Sequence, residues 1–206
     1  MASPWIGIWC ICKTRIAFSP CRGVAFLELK MKNGNDTSIL EPQDKPYPGF
    51  YADAEYGDRL LIHFDADTRE VERNIIVARA ILESFPQTSV IIRAHRLEYG
   101  VKNPEYEIDG LLADRKGIKS EKGIKWGFIS AIKQGCKAVV IDLDDRMRQV
   151  PLRVKTVAKM IQWRHRDFEQ GILQKCYVIR HDRAIVIESI HFETSSIIGT
   201  IEKLKP

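Results

Sequence analysis

Asp109-Gly110 constrains the fold of this chain more than any other feature. The pair sits between two short runs that contain apolar residues, and a two-residue hairpin turn needs positive φ at both central positions, which Asp-Gly supplies. With 109 and 110 in the turn the register follows: 108 faces 111, 107 faces 112, 106 faces 113 and 105 faces 114. Glu105 then lies across from Asp114 at roughly 5 Å between Cβ atoms. Lys116 stands on the same face two residues on, because strand side chains alternate. Tyr106, Ile108, Leu111 and Ala113 take the other face and are expected in a core. Like charges placed opposite each other destabilise a sheet unless something offsets them. A divalent cation does so, and all-oxygen ligands suit Mg²⁺ or Mn²⁺.

The rest of the chain is that of an ordinary globular protein. Its 206 residues, 45% hydrophobic and 29% charged, can bury one sizeable core and exclude a disordered chain. The net charge of +5 is compatible with a polyanionic partner. Residues 5–11 are apolar but too short to span a bilayer, and no basic stretch precedes them. A cytoplasmic protein without a membrane partner is therefore expected. The five cysteines include Cys10, Cys12 and Cys21, which lack a second ligand pair at zinc-site spacing. Reduced, mostly buried thiols are expected.

Gly, Pro, Asn and Asp crowd residues 32–56, so residues 1–57 read as an N-terminal extension, with a strand near 23–31, and a loop-rich connector. A main domain spans 58–206. Its expected elements begin with a strand at 59–64 and a helix opened by an Asp67/Glu70 capping box and ending near Ser84. Val71, Ile75, Ala78 and Leu82 mark that helix's buried stripe. There follow a strand at 88–93, the hairpin, a helix at 124–134 and a strand at 138–143 buried on both faces. One helix from Pro151 to about Gln170 and a hairpin around His181-Asp182 close the domain. The order implies an α/β fold with a mixed central sheet flanked by helices.

Pro104-Glu105, then Asp114-Arg115-Lys116, resembles the signature of the PD-(D/E)xK, restriction-endonuclease-like nucleases. Glu105 stands where the family usually has Asp, and Asp114 where it more often has Glu. From Glu72 to Ile187 the chain is similar to the C-terminal tRNase toxin domain of contact-dependent growth inhibition proteins and its phage and mobile-element relatives. The residues that carry this are Asn103-Pro104-Glu105, Asp109-Gly110, Asp114–Lys116 and Val139-Val140-Ile141-Asp142-Leu143. A Ser or Thr expected directly after the lysine is Gly117 here, with Ser120 further on.

The resemblance implies a metal-dependent phosphodiester hydrolase. Glu105, Asp114 and a helical carboxylate, Glu72 (or Glu70 or Glu83), would hold Mg²⁺ or Mn²⁺, and Lys116 would serve the attacking water or the phosphorane. Lys119, Lys122, Lys133, Gln134 and Arg153 are the expected substrate contacts, and Trp126 or Trp163 could stack on an unpaired base. tRNA is the favoured substrate, DNA the other, and an immunity protein the expected protein partner. Two further readings stand beside it. One is a metal-independent, barnase/colicin-like ribonuclease using one of the five scattered histidines as base. The other is a non-catalytic nucleic-acid-binding module of a phage or mobile element. The acidic run Asp142, Asp144, Asp145 reads as a surface loop, and the basic helix after Pro151 as a solvated face.

Overall fold

The computed structural model describes residues 48–98, 100, 102–144 and 152–204; the strand expected at 23–31, Pro151 and Asp145 lie outside them. Eight strands form one sheet in chain order: β1 (Phe50–Asp53), β2 (Gly57–His63), β3 (Val90–Ile92), β4 (Tyr106–Ile108), β5 (Leu111–Gly117), β6 (Ala138–Asp142), β7 (Lys175–Arg180) and β8 (Arg183–Ile187). The pairings make β2, β3, β5, β6 and β7 run one way and β1, β4 and β8 the other. The sheet is therefore mixed, and the carboxyl ends of five strands share one edge, the usual place for a site in such sheets.

Helix α1 (Val71–Ser84) covers one face. Leu60, Ile62, Val90, Ile92, Tyr106 and Ile108 meet its Val77, Ala78 and Ile81 there. The expected stripe holds: Ala78 and Leu82 are buried, and Val71 and Ile75 pack at its margin. Helices α2 (Glu121–Lys133) and α3 (Val154–Gln162) cover the other face, where Val139, Ile141 and Val178 meet Ile124, Phe128, Val157 and Ile161. All five residues of β6 are buried, as its unbroken apolar run requires. Both expected hairpins form. Asp109 and Gly110 take φ of 49° and 77°, and His181 and Asp182 both take 53°.

Four boundaries differ from the sequence reading. The sheet begins at β1, inside the expected connector; Tyr51 packs against the α1-side core, and Asp53 ends the strand by accepting the Glu55 and Tyr56 N–H groups. No capping box opens α1, because Asp67 Oδ1 accepts the Arg69 N–H instead and the Glu70 side chain goes to Arg115. The long basic helix is two, α3 and α4 (His165–Glu169). The break at Trp163-Arg164 lets Phe168 reach Phe192, ring centroids 4.8 Å apart. Finally, α5 (Ser189–Glu193) and α6 (Ile197–Glu202) follow β8, burying Phe192, Ile197 and Ile201.

Candidate active site

Strand β5 outruns β4. Their pairing ends at Tyr106–Ala113, so Arg115, Lys116 and Gly117 pair with β6 on one side and have no β4 residue on the other. Glu105, the residue before β4, turns this edge into a site. Its own carbonyl accepts the Arg93 N–H at 2.9 Å, fixing it to the end of β3. Its Oε2 accepts the Arg115 N–H at 3.2 Å, so a side chain satisfies a strand-edge donor.

Alternation along β5 then divides the charges. Asp114 and Lys116 point to the α2 face, where Asp114 is 1% exposed and Lys116 Nζ lies 2.6 Å from its Oδ2. That ion pair leaves Oδ2 without a well-aligned hydrogen bond. Gly127 of α2 lies against the lysine stem; a Cβ there would stand 3.2 Å from Lys116 Cβ and Cγ. Burial pushes the Asp114 carboxyl above its usual range, against the pull of Lys116. Glu105 is pushed up to about 7, chiefly by burial, with Arg115 opposing and the Asp114 charge adding. The expected trio of Glu105, Asp114 and Lys116 is thus brought together. Burial makes both carboxylates hold protons more tightly than free ones, against the pull of the neighbouring cations.

The opposite face of β5 carries what sequence reasoning missed. Arg115, 7% exposed, sits beneath α1. Its Nε donates to Asn74 Oδ1 at 2.7 Å, its Nη1 to Asp142 Oδ2 at 3.1 Å, and its Nη2 to Glu70. Asp142 is fully buried at the end of β6 and also accepts Arg73 Nε at 2.8 Å and Nη2 at 2.6 Å. Tyr106 Oη donates to Asn74. Asp142 is therefore a buried anchor and not the surface-loop residue expected. Period two supplied a signal for Arg115, which continues the inward row Leu111, Ala113.

Of these groups Glu70, Arg73, Glu105, Arg115 and Lys116 line a cleft of about 560 Å³, while Asp114, Asn74, Tyr106 and Asp142 lie outside its lining. Glu72 lines it from the exposed side of α1 but does not join Glu105 and Asp114: among the described residues no three His, Cys, Asp or Glu side chains form a metal-ligating group. Glu70 is taken by Arg115, and Glu83 lies in the last turn of α1. Lys119 lines the cleft. Lys122 and Arg153 are exposed but outside its lining. Lys133 and Gln134 close the far end of α2, which runs back along the sheet for about 20 Å at 1.5 Å per residue, too distant to share the substrate's reacting phosphate. No histidine lines the cleft; His191 accepts the Glu188 N–H and His165 stacks on Phe192.

Glu105 and Asp114 are the two carboxylates that could hold a hard divalent cation. Mg²⁺ is commonly held by one or two carboxylates, with water and substrate phosphate completing its shell. Glu105 and Asp114 are two such carboxylates at an unpaired strand edge, with raised proton affinity in both. No protein-family model, curated protein or solved structure matches the chain. No helix among the described residues is long and apolar enough to cross a membrane.

Proposed function

We propose that the protein is a metal-dependent nuclease of the PD-(D/E)xK type, hydrolysing phosphodiester bonds with Glu105, Asp114 and Lys116 at its centre. The convergence of these three side chains beside a basic-rimmed cleft carries the reading. The elements bearing them follow the order the family resemblance requires: a helix, an acidic hairpin, a second helix and a parallel apolar strand. Glu105 and Asp114 would hold Mg²⁺ or Mn²⁺, which supplies Lewis-acid polarisation of the phosphoryl oxygen and acidifies water. Lys116, braced by Asp114 and the α2 backbone at Gly127, orients the attacking water or balances charge on the phosphorane. Arg115 holds the Glu105 carboxylate through its backbone N–H and its side chain. The tRNase-toxin resemblance favours tRNA over DNA, cytoplasmic action and a neutralising immunity protein.

One observation favours a second reading. A Glu105 carboxyl titrating near 7 is poised as a general base at neutral pH, which a metal-independent ribonuclease would use. Chelation separates the two. Purified protein incubated with total tRNA and plasmid is expected to cleave with Mg²⁺ or Mn²⁺ and to stop with EDTA. Cleavage that survives EDTA supports the metal-free reading, and no cleavage in any metal supports a binding module.

A further inference from the structure

The cleft holds more positive charge than its carboxylates neutralise. Glu70 is bound by Arg115, and Arg73 gives two guanidinium nitrogens to Asp142. Arg69 and Lys119 differ. Both line the cleft, both are exposed, and neither has an ion-pair or side-chain hydrogen-bond partner among the described residues. Arg69 comes from the turn before α1, and Lys119 from the loop between β5 and α2. Two elements on opposite faces of the sheet thus each present one unpaired cation to the same space.

We propose that Arg69 and Lys119 form a second phosphate subsite, which binds a phosphate of the same strand flanking the one attacked. This rests on the nuclease reading and deepens it: the substrate is an oligonucleotide bound through at least two backbone phosphates. The volume of about 560 Å³ falls within the range of small-ligand pockets, room for a nucleotide beside the reacting centre. Exposed Ile76 on α1, 36% accessible and part of the same lining, offers apolar surface to a sugar or base.

The test is equilibrium binding of a fluorescent ten-nucleotide RNA to the Asp114→Asn protein in EDTA, followed by anisotropy across a KCl series. Arg69→Ala and Lys119→Ala are each expected to reduce the log-log salt slope by about 0.7, the loss of one single-strand phosphate contact. Lys133→Ala, at the far end of α2, is expected to leave the slope unchanged. Oligonucleotides carrying one neutral methylphosphonate linkage should include a position at which Arg69→Ala has no further effect. Unchanged slopes in both cleft variants, or an equal loss in Lys133→Ala, overturn the subsite. Intact binding behaviour with no cleavage by wild-type protein would instead count against the nuclease reading alone.

Discussion

The Asp142 carboxylate binds two guanidinium groups at once, Arg73 through both oxygens and Arg115 through Oδ2, with none of its own surface exposed. It thereby joins α1, β5 and β6 at the edge where the candidate site lies. Removing one partner of a buried ionic group costs about 3–5 kcal/mol, because the remaining charge is left unpaired. Asp142→Ala is expected to lose that much in urea unfolding. A loss below about 1 kcal/mol would show that Arg73 and Arg115 find other partners.

Glu105 makes stability depend on pH in an unusual direction. Its carboxyl is raised from 4.5 to about 7 in the folded chain, so between those values the folded state binds more protons than the unfolded. Stability from this group is fully present below about pH 4.5 and declines as pH rises through 7. The shift corresponds to up to about 3 kcal/mol. Glu105→Gln should remove this decline, so the variant gains on wild type between pH 5 and 8 in parallel melts. A difference that stays flat across that range would place Glu105 in a wetter setting.

The catalytic reading makes a sharper demand on the neighbouring strand. Asp114→Ala and Lys116→Ala should each lower the cleavage rate by about 10²-fold or more while circular dichroism stays that of a folded protein. Folding should survive because burial already disfavours the Asp114 charge. Either variant cutting at the wild-type rate rules out the proposed centre.

Gly127 offers a test that touches no charged group. Alanine there gains about 1 kcal/mol of helix propensity, yet its methyl would crowd Lys116 Cβ and Cγ at 3.2 Å. We expect a melting temperature within a few degrees of wild type and a several-fold fall in turnover, with substrate binding retained. Unaltered turnover would mean that the lysine's position does not limit the reaction.

The hairpin and its trio were legible because they rest on local rules. A two-residue turn and strict alternation place Glu105, Asp114 and Lys116 without reference to any distant residue. Asp142 was hidden for the opposite reason, and the alternation that sets Arg115 on the inward row does not name the partners that let it lie there. A charge enters a core only when a partner far along the chain meets it, and Arg73 lies 69 residues from Asp142. Strand β1 was obscured by its own punctuation, since Pro46, Pro48 and the turn at Asp53 read as loop. The break between α3 and α4 answers to Phe192, a residue well beyond either helix. Lys133 and Gln134 were expected at the substrate, but the direction of α2 carries them to the far end of the sheet.

The sheet's order has a consequence for how the molecule assembles. Every strand pairs with its immediate predecessor in the chain, so a polypeptide delivered amino end first can add one ribbon at a time without waiting for a distant mate. The exception is the underside of α1. Ser84 Oγ receives the Ala184 N–H across a separation of 100 residues. That helix stays incompletely roofed until the last hairpin arrives, and a nascent chain stalled before β8 is predicted to expose a greasy flank that a chaperone or protease would recognise.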